Sequence, residues 1–259
     1  MEPLMTVTDL TVGYEAPVVT NLSFSVEAGE IVGLLGRNGS GKTTLLRGLT
    51  GSAPLIRGKA AIRGVSLLGL RDRQRARLLS LLPQRTALLP GFTAGELIAM
   101  GSYAARNPFR PRPRQLSHQV RDAARRFGIE PLLDTDCAQL SEGQRQLVYL
   151  ARSVVQNASV LLLDEPNSAL DYAHTHLVFQ QLRRLITQEE KGALLVLHDP
   201  GLALRWCSRI VLLEEGGLSP SLSVPEATLS QAEAFLRRLY PTLRLLKDRE
   251  TGCLLPYLP

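Results

Sequence analysis

Gly36-Arg37-Asn38-Gly39-Ser40-Gly41-Lys42-Thr43 constrains this chain more than any other stretch. It fits the phosphate-loop pattern: Gly, four residues, then Gly-Lys-Thr. The apolar run Glu30-Ile31-Val32-Gly33-Leu34-Leu35 precedes it and reads as a buried strand, and Thr44-Leu45-Leu46-Arg47 follows as the opening of a helix. A glycine-rich turn between strand and helix aims several backbone N–H groups into one concavity. The helix N-terminus adds partial positive charge there. In such a turn Lys42 can reach the β- and γ-phosphates of a nucleoside triphosphate, and Thr43 can ligate Mg²⁺. Many unrelated enzymes share this loop, so alone it points to a nucleoside triphosphate and not to a purpose.

Further along, Val160-Leu161-Leu162-Leu163 ends in the carboxylates Asp164 and Glu165. A short continuous apolar run suits a strand of a parallel sheet covered on both faces. Ligands of such sheets sit at the carboxyl ends of the strands. Asp164 is then placed to hold Mg²⁺ and Glu165 to polarise water, although two solvated acids ending a strand would look the same. Ser141, followed three residues later by Gln144, is a capping-box pattern ahead of Leu147-Val148-Tyr149-Leu150. It reads as a second helix start, able to bind an anion or serving as an ordinary cap. His198-Asp199 follows the apolar strand Ala193 to Leu197, where the histidine either meets a γ-phosphate or lies on the surface.

Phosphate loop, Leu140-Ser141-Glu142-Gly143-Gln144, apolar-Asp164-Glu165 and His198, in this order, resemble the ATP-binding cassette (ABC) ATPases. Three more residues match. Tyr14 corresponds to the aromatic that stacks on adenine, Gln84 to the glutamine that senses Mg²⁺ and couples to membrane subunits, and Ser168-Ala169-Leu170-Asp171 to the loop crossing the dimer interface. The match runs from about Leu4 to about Leu213. It implies an α/β phosphate-loop NTPase core with an N-terminal antiparallel β subdomain and an inserted α-helical subdomain. It implies ATP and Mg²⁺ as cofactors. Glu165, His198, Lys42 and Gln84 would be catalytic, and Thr43, Gln84 and Asp164 would serve the metal. Tyr14, Gly36, Asn38, Gly39, Ser40, Gly41, Lys42, Thr43 and Thr44 would hold the nucleotide, with Ser141, Gly143, Gln144 and Asp171 acting across a head-to-tail pair of copies. Glu142 stands where the family usually has Gly, and Pro200 where an apolar residue is commoner. Neither removes a reacting group.

With 259 residues, 44% hydrophobic and 21% charged, the chain can bury a sizeable core as one domain with a subdomain, or at most two domains. No stretch approaches the roughly 20 apolar residues that span a bilayer. The start Met1-Glu2-Pro3-Leu4 lacks a signal-peptide pattern. Cys137, Cys207 and Cys253 are widely spaced and read as small buried hydrophobes. These features suggest a cytoplasmic protein. A net charge of +6 invites a nucleic-acid reading, but the charge forms no long run with interleaved aromatics, so no nucleic-acid partner is expected. Arg71, Arg73, Arg75 and Arg77 read as a solvated helix surface, and Asn107 to Arg114 as a basic, proline-broken loop. Either could face anionic lipid headgroups. His174-Thr175-His176 is set aside as a metal site, since residues two apart on a helix diverge.

Residues 1–225 then form the ATPase domain, with the helical subdomain at about 86–157, and 226–259 form a tail of one helix and a small hairpin. Strands are expected up to Val26 and over Lys59 to Val65, helices over Thr175 to Ile186 and Gly201 to Cys207, and a hairpin turn at Glu214 to Gly217. The tail resembles that of importer ATPases for iron-siderophores, haem and cobalamin. This implies an ATPase subunit at the cytoplasmic membrane face, working with separate membrane-spanning permease subunits and, through them, a substrate-binding protein. Leu88, Leu89, Phe92, Leu97, Met100 and Tyr103 are candidates to receive a permease helix. A soluble cassette ATPase that moves no solute, or an exporter subunit, is the alternative.

Overall fold

The computed structural model describes residues 2–104 and 114–258. Three runs with no polar interruption, β3 (Ile31–Gly36), β7 (Val160–Asp164) and β8 (Gly192–Val196), are buried at every position. That pattern belongs to parallel strands covered on both faces. They lie side by side in the parallel order β6 (Leu79–Leu82), β7, β8, β3, β9 (Arg209–Glu214). Two short antiparallel strands, β10 (Gly217–Leu218) and β11 (Leu222–Ser223), pair with β9 at the edge. Alternate residues leave opposite faces of this sheet. Ile31, Leu35, Leu161, Leu163 and Leu195 join the core on one face. Val32, Leu34, Leu162, Leu194 and Val196 join the core on the other.

The second face is covered by α1 (Lys42–Thr50) and by an antiparallel sheet of β2 (Pro17–Val26), β1 (Met5–Gly13), β4 (Leu55–Ile62) and β5 (Val65–Ser66). β1 buries Met5, Val7, Leu10 and Val12, each against a partner on β2 or β4. The strand expected over Lys59 to Val65 instead begins at Leu55 and breaks after Ile62. Arg63 and Gly64 both take positive φ there, the requirement of a tight hairpin, and β5 returns on β4.

The first face is covered by helices. α3 (Ala94–Ala99), α4 (Arg114–Arg126) and α5 (Glu142–Gln156) lie in the chain between β6 and β7, and they pack on one another through Leu97, Ala123, Phe127, Leu147 and Leu150. α6 (Tyr172–Gln188), α7 (Pro200–Trp206) and α8 (Leu229–Leu236) complete that side. The chain closes with the hairpin β12 (Arg244–Lys247) and β13 (Leu254–Tyr257).

Of the four arginines expected on a solvated helix surface, Arg71 and Arg77 are exposed, but Arg75 departs from that role. The stretch forms α2 (Asp72–Leu78), in which the Arg75 side chain is only 16% exposed. Its guanidinium donates to the carbonyls of Thr50 and Leu67, tying the end of α1 to the β5–α2 connection. The open space above Gly51 lets it lie there. Cys137 and Cys207 are buried, and burial pushes the Cys207 thiol up to about 12. Cys253 is half-exposed, contrary to the expectation, because it lies in the last hairpin's turn region and not under the sheet. The basic run Asn107 to Pro113 lies outside the described residues.

Candidate functional site

Four strand ends of the parallel sheet converge on one concavity. β3 ends at Gly36 and opens the loop that leads into α1. Gly39 and Gly41 take φ of 80° and 100°, a region that glycine enters without strain. A Cβ on Gly41 would lie 2.5 Å from Val19 Cγ1, so this position also needs the missing side chain to let the loop close onto β2. Thr93, Ser141, Asp171, Asp199 and Thr228 each cap the helix that follows with a side-chain oxygen. Gly41 gives α1 no such cap. The first N–H groups of α1 are left to an external acceptor, the condition for anion binding at a helix start.

Lys42 is buried. Its ammonium donates to the carbonyls of Gly36 at 2.7 Å and Arg37 at 3.0 Å, which bends the loop around it. Burial lowers its pKa, and the Glu165 and Asp164 carboxylates oppose that shift. Beneath the loop, Asp164 is 3% exposed. Its Oδ2 accepts a 2.8 Å hydrogen bond from the Thr43 hydroxyl, while Oδ1 is buried with no partner. Burial raises the Asp164 pKa, and the Thr43 bond pulls it back. An unpartnered carboxylate oxygen beside a threonine hydroxyl is a hard-oxygen donor set that fits Mg²⁺.

Glu165 is the hub of the far wall. Its Oε2 accepts from the Gln84 amide at 2.9 Å, and its Oε1 lies 2.6 Å from His198 Nε2. Its backbone sits at φ 52°, a left-handed conformation that costs a non-glycine residue about 1–2 kcal/mol. Its N–H bonds the Val196 carbonyl, which fixes that turn against the end of β8. Gln84 comes from beyond β6 and His198 from beyond β8, so the two strands flanking β7 deliver the two residues that grip Glu165.

Loop and wall enclose a cavity of about 590 Å³ lined by residues 38–44 together with Val18, Gln84, Glu165 and His198. It thus brings together Asn38, Gly39, Ser40, Gly41, Lys42, Thr43, Thr44, Gln84, Glu165 and His198 from the sequence expectation, with Asp164 directly below Thr43. Gly36 contributes its carbonyl to Lys42. Tyr14 does not line this cavity. It is exposed on the β1–β2 turn, where its hydroxyl is 3.4 Å from the Arg47 guanidinium. Ser141, Gly143, Gln144 and Asp171 do not line it either. Ser141 and Gln144 satisfy each other in the capping box of α5, and Asp171 caps α6 and pairs with His174. Glu142 opens α5 exposed to solvent.

Two residues escaped the sequence reading. Val18 was hidden in a strand pattern. Gln146 is 2% exposed and donates to the Glu165 carbonyl at 3.1 Å and toward Ser168, while its own oxygen accepts from Ala169. It joins α5 to the turn that carries Glu165. Its signal was present: an uncharged polar residue on a helix face otherwise filled by Leu147 and Leu150.

A profile of the ABC transporter family matches residues 19–168. The chain belongs to the ABC transporter family. It is an ATP-binding cassette and hydrolyses ATP. The cassette is 37% identical over 222 residues to the hemin import ATP-binding protein HmuV of Pseudomonas putida, covering 83% of this chain and 84% of that protein. It is 32% identical over 235 residues to an uncharacterised ABC transporter ATP-binding protein, YvrA, of Bacillus subtilis, covering 90% of this chain and 52% of YvrA. Its fold matches that of an ABC transporter assigned to the metal-chelate type, solved in an inward-facing conformation. The TM-score is 0.81 at 22% identity, covering all of this chain and 97% of that one.

Proposed function

We propose that this cassette powers solute import through separate membrane-spanning subunits, with iron-siderophores, haem or cobalamin as the favoured solute class. The observation that carries the hydrolytic part is Glu165, held at the cavity wall between Gln84 and His198 opposite the open start of α1. The importer part is supported by the hemin-import relative and by the closing helix and hairpin of residues 226–259. On this reading residues 1–225 are the ATPase domain and 86–157 its helical subdomain.

The phosphates lie on the N–H groups of residues 39–43. Lys42 exchanges its two loop carbonyls for phosphate oxygens, which its buried ammonium is already positioned to meet. Asp164, Thr43 and Gln84 would hold Mg²⁺, which when bound neutralises charge on the β- and γ-phosphates. Glu165 orients the attacking water and takes its proton. His198, released from Glu165 as water enters, contacts the γ-phosphate. Ser141, Gly143 and Asp171 serve a second copy, and Tyr14, exposed beside Arg47, stacks on adenine.

The test is reconstitution with the membrane subunits that co-purify, in liposomes of known orientation. Import with ATP on the cassette side, and an ATPase rate raised by one solute of the named class, is the expected result. Outward movement would make it an exporter subunit. Failure to associate with any membrane subunit would favour the soluble ATPase reading.

A further inference from the structure

The polypeptide after α8 runs along the back of the site. Leu239 and Tyr240 continue the turn, both bonding the Leu236 carbonyl. Arg238 forms an ion pair with Glu214 at the end of β9. Arg238 and Leu239 then line a cavity of about 370 Å³ whose other walls include Arg37 and Ser40 of the phosphate loop. Two residues after Arg238, the Tyr240 hydroxyl donates to the carbonyl of His198 at 2.7 Å. Burial, followed by the nearby Asp199, raises the phenol pKa, so the proton it donates stays in place at neutral pH. β13 also rests on α7, where Pro256 packs against Gly201, just past His198.

His198 needs this support. The ladder of β8 ends at Val196, and Leu197 makes the last bond to β3, through the Leu34 carbonyl. The His198 carbonyl lies beyond the register of either neighbour, and a backbone acceptor without a ladder partner must find one elsewhere. Asp199 spends its carboxylate on the N–H groups of Gly201 and Leu202. Tyr240 alone among the described side chains reaches back to the His198 carbonyl. The imidazole is held at one end by Glu165 and its backbone at the other by a residue 42 positions later.

We propose that Tyr240 is a positioning residue for hydrolysis: its hydroxyl fixes the His198 backbone so that the imidazole is presented to the γ-phosphate, making the C-terminal segment part of the ATPase machinery. The inference rests on the role given to His198 above.

Tyr240→Phe removes one hydroxyl and keeps the ring. With full-length protein at saturating Mg-ATP, kcat should fall by about three- to ten-fold, the worth of one hydrogen bond, while KM for ATP stays within about two-fold. His198→Ala should be slower still, and Tyr240→Phe/His198→Ala no slower than His198→Ala alone. The chain has four histidines, so His198 ring signals are assignable by NMR through the alanine variant, and they should shift in Tyr240→Phe. A purely structural hydroxyl would lower Tm yet leave kcat and the ring signals at wild-type values below the transition. That result overturns the proposal, as does a double variant slowed by the same factor that Tyr240→Phe causes alone. If His198→Ala itself hydrolyses ATP at the wild-type rate, the role of His198 fails and Tyr240 has nothing to position.

Discussion

Glu165 and Asp164 are adjacent acids in different circumstances. Glu165 points into the cavity with both oxygens engaged by Gln84 and His198, and a water that displaces either partner meets a carboxylate already aimed. Glu165→Gln keeps the shape and loses the base. Turnover should fall by about 10²–10⁴-fold while ATP still binds, as measured by steady-state hydrolysis and nucleotide titration. Near-normal turnover would remove Glu165 from the chemistry. Asp164 is buried, raised in pKa by that burial, and carries an unpartnered oxygen. Without a cation its charge is a liability. Asp164→Asn should relieve about 1 kcal/mol in the nucleotide-free protein, a rise in Tm of about 2–4 °C for a chain of this size. The same variant should lose the further Tm rise that Mg-ATP gives the wild type. A lower nucleotide-free Tm would mean that the carboxylate is structurally required. Both acids were visible in the sequence because one strand end carries them. The Gln146 bond to the Glu165 carbonyl was not, since its partner is 19 residues away and is chosen by how α5 packs.

The helical block between β6 and β7 divides the six candidate permease contacts by exposure. Leu97 is 2% exposed and belongs to the core, while Leu89 and Met100 pack partly against it. Leu88, Phe92 at 41% and Tyr103 at 70% remain exposed to solvent. Helical periodicity alone cannot separate the two sets, because a buried face and a docking face are both apolar. Phe92→Asp should abolish transport or association with the membrane subunits and leave folding and ATP binding intact, as checked by co-purification and thermal shift. An unfolded variant would return Phe92 to the core. Unchanged assembly and transport would move the docking surface elsewhere. Arg75 makes the same point about elements. Its alternation with Arg71, Arg73 and Arg77 reads as a solvated face, yet the acceptors that bury it, Thr50 and Leu67, lie outside α2.

On the scale of the whole molecule, the start of α5 does not reach its own phosphate-loop cavity: Ser141 and Glu142 are exposed and line no part of it. On the proposed reading, a second copy turned head to tail brings them to the triphosphate. Glu165→Gln with saturating Mg-ATP should therefore sediment as a pair that the wild type reaches only transiently. A strict monomer, both alone at high concentration and with its membrane partner, would count against a shared site. The parallel sheet, the phosphate loop and the two strand-end acids were legible because each is a contiguous run: burial on both faces demands uninterrupted apolar residues, and a phosphate cradle demands glycines one turn from a lysine. What the tertiary structure alone decided lies between segments distant in sequence. It left Tyr14 outside the cavity, put Val18 in its wall, tied Arg75 to the end of α1 and to the β5–α2 connection, and brought Tyr240 to His198. A hydrogen bond between residues 42 positions apart has no local pattern to announce it, because the distance that makes it is set by packing and not by either residue's neighbours.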